Sequence, residues 1–152
     1  MTRATAFDCA LRVLALRDHA EGELRGKLAR KGYPDGEVEE TVARLKELRY
    51  LDDLRFARAF ASSAMRNGRG YGARLGMELA RRGVSRDIAE VALAELKEEF
   101  VEDDLLAQLL ERRFAGFDPA SASEKERRKV VGYLQRKGFS LSAIFEKLKT
   151  KD

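Results

Sequence analysis

The sequence of 152 residues contains one cysteine, one histidine, two prolines and no tryptophan. A single Cys9 excludes an internal disulfide framework and a cysteine-based zinc site. His19, in "RDHAEG", has no second histidine or cysteine near it, so no metal ligand set is expected. There is no Gly-x-Ser-x-Gly, no Cys–His arrangement and no Walker motif, which argues against an enzyme and leaves no catalytic residue and no cofactor to assign. No run of about 18 apolar residues occurs, so no membrane-spanning helix is expected. The start "MTRATAFD" lacks the apolar stretch of a signal peptide, and a soluble, cytoplasmic protein is the expectation. The scarcity of proline and the lack of a long Ser/Gly tract favour a regular backbone. Cys9 stands at helical spacing with Ala6, Ala10 and Val13 in "AFDCALRVL", and reads as a buried structural thiol.

What is present is apolar and charged material in bulk: 44% hydrophobic and 37% charged residues. That suffices for a core and excludes a disordered chain. Net charge is +4, so the arrangement of charge matters more than its total. The chain also repeats itself. "LARKGY" at 28–33 returns as "LARRGV" at 79–84 and "LQRKGF" at 134–139, the glycines being 51 and 55 residues apart. Leu28, Leu79 and Leu134 stand four before the glycine, and Tyr33, Val84 and Phe139 one after. Val38 and Val42, Ala89 and Leu93, and Ile144 and Leu148 stand six and ten after. Three tandem units follow, at 1–50, 51–101 and 102–152.

Each unit reads as three helices, and no segment alternates as a half-buried strand would, so the fold class is all-α: three three-helix repeats forming an elongated curved array. The spacing predicts helices near 4–17, 20–31 and 36–49, then 53–66, 72–82 and 86–99, then 103–114, 124–137 and 141–149. Val38, Val42, Leu45 and Leu48 share one face of the third. The longer third unit places its extra residues in "AGFDPASASE", with Ser123 and Glu126 at capping-box spacing. Each glycine reads as the left-handed end of a helix, with the apolar residue after it folding back in a Schellman motif. Ser85 and Ser140 are the expected N-caps of the following helices, with Asp35 in that role in unit one. The pairs Asp52-Asp53 and Asp103-Asp104 read as capping and dipole residues of the first helices.

Capping does not explain why the second helices are basic and the third acidic. Residues 66–82 hold Arg66, Arg69, Arg74, Arg81 and Arg82 against Glu78, whereas 86–104 hold eight acids. Two readings stay open: a basic stripe facing a phosphate backbone or an acidic protein, or helices that salt-bridge one another. Arg30 and Lys31 suit either a helix end or the stripe. The segment "MRNGRGYGARLG", 65–76, is neither a P-loop nor a dinucleotide turn, and reads as a flexible connection presenting arginines to a polyanion. Tyr71 within it has the option of stacking on a base, but a partly buried loop aromatic is the simpler expectation.

"YLDDLRFARAF" (50–60), "NGRGYGARLGMELARRGVS" (67–85), "ELRGKLARKGY" and "YLQRKGF" together resemble the RecX family, regulators of the RecA recombinase, over about residues 4–149. The resemblance implies a protein that binds RecA and its filament on single- or double-stranded DNA. It implies limits on filament growth, ATPase and strand exchange, in recombination and DNA repair. A monomer is expected. The candidate RecA- or DNA-binding residues are Arg25, Arg30, Lys31, Arg66, Arg69, Arg74, Arg81, Arg82, Arg128, Arg136 and Lys137. In place of the family's usual Gly-Pro step this chain has Tyr71-Gly72, a departure expected to loosen the central turn. The alternatives are a DNA-binding protein working through helix-turn-helix-like units without a recombinase, opposed by the acidity of 36–49 and 86–99, and a helical scaffold for an unrelated protein.

Overall fold

The computed structural model describes residues 3–149. Nine helices and no strand occur among them: α1 (Ala6–Leu16), α2 (Glu21–Arg30), α3 (Asp35–Glu47), α4 (Asp53–Arg66), α5 (Ala73–Arg81), α6 (Arg86–Glu99), α7 (Glu102–Arg113), α8 (Glu124–Arg136) and α9 (Leu141–Leu148). Their boundaries follow from the caps. The side chains of Asp52, Ser85, Ser123 and Ser140 each accept the amide three residues on, satisfying a helix-end donor that has no intrahelical partner. Unit one differs from expectation: Pro34 occupies the cap of α3 without a side-chain bond, and Asp35 is the first helical residue. Proline's fixed φ already suits that boundary. Asp103 and Asp104 lie in the first turn of α7, whose cap is Val101, so they complement the dipole without capping.

The three corners are Schellman endings. Gly32, Gly83 and Gly138 have φ of 92°, 85° and 107°. The amides of Tyr33, Val84 and Phe139 reach back to the carbonyls of Leu28, Leu79 and Leu134 at 3.0–3.2 Å. Both apolar partners are buried in each corner. The same hydrogen bonds close α3, where Tyr50 N–H reaches the Leu45 carbonyl at 2.9 Å, but there Arg49 takes the left-handed position with φ 62°. An L side chain in that region costs about 1–2 kcal/mol, part of which glycine returns as extra unfolded-state entropy. Arg49→Gly is therefore expected to stabilise by about 0.5–1 kcal/mol, read as a rise in urea midpoint at unchanged slope. Leu48, predicted on the buried face of α3, is half-exposed because the helix ends there.

The corners also join the repeats. A methyl group on Gly83 would lie 2.5 Å from Gly22 Cα in the first turn of α2, and one on Gly138 1.8 Å from the Tyr71 carbonyl oxygen before α5. The start of each second helix thus seats on the corner glycine of the next repeat. Tyr71 N–H donates to the Lys137 carbonyl at 2.8 Å, and its ring stacks on Phe139 at 5.1 Å between centroids. The turn expected to be flexible is anchored, and Tyr71 is buried. Gly72 has φ 56°, a conformation closed to proline, so the departure at Tyr71-Gly72 belongs to the geometry of this turn. In repeat one the equivalent carbonyl, that of Lys31, is taken by the Arg3 guanidinium.

Repeats two and three share one apolar cluster, in which Met65, Leu75 and Leu96 meet Leu105, Leu106, Leu134 and Ile144. Repeat one keeps its own, around Leu24, Leu28, Val42 and Leu45. Cys9 packs against that cluster but is half-buried, less enclosed than expected. Repeats one and two meet through Ala20, buried against Phe56, Ala57, Leu79 and Val84, and through polar contacts. Asp53 of α4 accepts the Glu21 amide at the start of α2 (2.8 Å), and Arg82 reaches Glu23 (3.4 Å). Burial pushes the Asp53 carboxyl up, against the lowering effect of that amide.

His19 is buried at the α1–α2 junction. Its Nδ1 lies 2.9 Å from the Arg17 carbonyl and its Nε2 2.8 Å from Lys27 Nζ. A carbonyl only accepts and an ammonium only donates, so the ring is neutral with its proton on Nδ1. Burial, with the charges of Arg17 and Lys27, holds its pKa below the ordinary value despite the Arg17 carbonyl and Glu23. As pH falls through about 6.5 the unfolded chain takes up a proton that the folded chain refuses, so stability drops from pH 7.5 to 5.5. Urea midpoints at the two pH values should show this slope, and His19→Gln should flatten it.

Candidate functional site: a basic basin beside the fifth helix

Five of the eleven candidate residues converge. Arg69, Arg74, Arg81, Arg82 and Lys137 line one cavity of about 540 Å³, floored by Phe60 and Ala64, with Glu78 as its one acidic lining residue. The local sequence explains the convergence. Arg81 and Arg82 stand at the end of α5, where basic residues suit the helix dipole, and Arg74 stands in its first turn, paired with Glu78. Arg69 follows the left-handed Gly68 that closes α4, where its amide reaches the Ala64 carbonyl at 2.8 Å. Lys137 arrives from the next repeat because Tyr71 and Gly72 seat on the Gly138 corner.

Several of these cations are held in place. Arg69 donates to Ser63 Oγ at 2.8 Å, and Arg74 donates to the Arg136 carbonyl at 2.7 Å and to Glu78 at 3.2 Å. Arg82 lies over the Phe60 ring at 4.7 Å and reaches Glu23 of repeat one. Burial raises the Glu23 carboxyl, but the hydrogen bonds from Arg17 and the Ala20 amide, with the Arg82 charge, outweigh it and hold its pKa below the ordinary range. Arg81 and Lys137 have no ion pair among the described residues. Five cations around one carboxylate make an anion-attracting concavity.

The other six candidates lie elsewhere. Arg66 donates to Ser62 Oγ at 2.6 Å and lines a separate, nearly filled cavity with Leu109 and Arg112. Arg25 is taken up by Glu21 and Glu39. Arg30 and Lys31 stand exposed at the first corner. Arg128 is exposed and paired with Glu124. Arg136 enters the basin's structure through its carbonyl. Salt bridges absorb part of the charge, at Arg25–Glu39 between α2 and α3 and at Arg74–Glu78 and Arg82–Glu23 around α5. Phe60 and Glu23 were not singled out in the sequence; the spacing of Phe56 and Phe60 on α4 was the available signal for the first. No group of three or more potential metal ligands and no helix long and apolar enough to cross a membrane occurs among the described residues.

Three family models match in chain order: the first three-helix domain of RecX on residues 6–45, the second on 52–93 and the third on 101–148. The chain belongs to the RecX family. It is 36% identical over 144 residues to regulatory protein RecX of Syntrophotalea carbinolica, covering 95% of this chain and 94% of that one. It is 39% identical over 146 residues to the protein of the same name from Trichlorobacter lovleyi, covering 92% and 95%. Two crystal structures of RecX share the fold. That from Lactobacillus salivarius superposes with a TM-score of 0.76 at 21% identity, covering 94% of this chain and 92% of that one. A second RecX structure gives 0.80 at 22% identity, with 96% and 72% covered.

Proposed function

We propose that this RecX family member is a non-catalytic, cytoplasmic modulator of the RecA recombinase, acting as a monomer. It binds the RecA filament on DNA, limits filament growth and lowers ATPase and strand exchange, and so tunes recombination and repair. The observation that supports the reading is the basin: five cations from two repeats gathered around one carboxylate. A nucleoprotein filament offers both phosphates and acidic protein surface to such a site. RecA ATPase on single-stranded DNA, titrated with substoichiometric protein, tests it: the rate should fall progressively, and an unchanged rate at every ratio rejects the reading.

The second reading, DNA binding without a recombinase, draws on the same basin. The third helices of the first two repeats, α3 and α6, oppose base reading by a helix-turn-helix, since α3 alone carries Asp35, Glu37, Glu39, Glu40 and Glu47, which would repel phosphates flanking a groove. Contact with the backbone of a single strand is the form of DNA binding the charge supports. Direct binding to labelled single-stranded DNA, without RecA, should then weaken with salt at a slope of about −0.7 per phosphate contact.

A further inference from the structure

The repeats provide an internal comparison of one groove, that between the second and third helices. In repeat one it is bridged by charge: Arg25, seven before the corner glycine, donates to Glu39, seven after, at 2.8 and 3.2 Å. In repeat two the first position is Gly76, and Leu93 closes in to 3.8 Å of where a methyl group would stand. In repeat three the same two positions are Val131 and Phe145. They do not close the groove. Phe145 is 53% exposed, and with Val131, Gly132, Gln135 and Leu148 it lines an open cavity of about 630 Å³. Leu141, one turn earlier on α9, is also half-exposed. The architecture therefore does not require an apolar groove here, since repeat one builds it from an ion pair.

The rim is basic. Arg127 and Arg128 line it from α8 beside Glu124, and residues 124–149 hold eight basic against three acidic side chains. The Arg128–Glu124 pair is almost fully exposed, so competing carboxylates displace it at little cost. Phe145 and Leu141, spaced i and i+4 beside an open channel between two helices, match the way a groove receives the apolar face of a helix. We infer that the α8–α9 groove is a docking site for an acidic amphipathic helix of a protein partner, with Phe145 and Val131 as the apolar anchors and the cations of α8 receiving its carboxylates. None of the basin residues lines it, so the site stands independently of the proposed polyanion role.

The test is fluorescence anisotropy with the full chain and a labelled helical peptide of about four turns, leucines on one face and glutamates on the other. Saturable binding is expected, weaker by about tenfold or more for Phe145→Ser and for the same peptide with lysines in place of glutamates. The basin variant Arg69→Glu/Arg81→Glu/Lys137→Glu should bind the peptide within about threefold of the parent, since rim charges far from a contact are largely screened. Phe145 is exposed and its serine variant should melt with the parent; Val131→Ser is the second variant should it not. Equal binding by Phe145→Ser and Val131→Ser, equal binding of the lysine peptide, or no saturation overturns the inference. A concentration-dependent dimer in sedimentation velocity that Phe145→Ser abolishes would assign the groove to a second copy and overturn it as well.

Discussion

Gly138→Ala is expected to destabilise the protein by about 2–5 kcal/mol, a large part of the 5–15 kcal/mol that holds a domain folded. Two costs combine. The residue's φ of 107° lies in a region where an L side chain loses about 1–2 kcal/mol. The new methyl group would also stand 1.8 Å from the Tyr71 carbonyl oxygen and 2.9 Å from Arg74 Cβ. Neither neighbour moves cheaply, because Tyr71 is buried, stacked on Phe139 and bonded through its amide to Lys137. Overpacking of that kind typically adds about 1–3 kcal/mol. Thermal melting should show a Tm lower by about 2–4 °C per kcal/mol. Gly83→Val should also damage folding, its Cβ meeting Gly22 Cα at 2.5 Å with φ 85°. Gly116→Ala, with nothing within 4 Å and no positive φ, is the matched control and should stay near the parent. A Gly138→Ala protein melting with that control would show that the corner does not join the repeats.

The register of Leu, Gly and the following apolar residue exposed the helix ends because a Schellman motif is local: every atom of the Leu28–Tyr33 bond lies within six residues. The apolar faces were legible for the same reason, since Val38, Val42 and Leu45 depend only on helical period. The contact of Gly22 with Gly83 spans two repeats and leaves no periodic trace; a first-turn glycine in α2 carries no signal until its neighbour is known. The same limit applied to charge. That α5 is basic was visible, but not that Lys137 from the next repeat completes its cavity, nor that Arg66, one turn of chain before Arg69, points to a different one. The anchoring of Tyr71 escaped for the reverse reason: a glycine-rich stretch suggests flexibility, whereas here Gly68, Gly70 and Gly72 permit close approach to Leu109, Leu75 and the Gly138 carbonyl.

Reversing three basin charges together, Arg69→Glu/Arg81→Glu/Lys137→Glu, should raise the concentration needed to inhibit RecA ATPase by about tenfold or more, with far-ultraviolet circular dichroism unchanged. These positions are chosen because they carry charge without holding the fold. Arg74 is excluded, since its bond to the Arg136 carbonyl helps join the repeats, and so is Arg82, which ties repeat one through Glu23. The cavity would change from five cations and one acid to two cations and four acids, so repulsion replaces attraction for any polyanion. Arg66→Glu, in the neighbouring cavity, should change inhibition by no more than about threefold, as a surface charge outside the contact does. The salt dependence separates the two surfaces the basin is suited to meet. If single-stranded DNA is the direct contact, the triple variant should lose about 2 from the slope of log affinity against log salt, at about 0.7 per phosphate released. If acidic protein surface is the contact, affinity for free DNA should be nearly unaltered while co-sedimentation with preformed RecA filaments is lost.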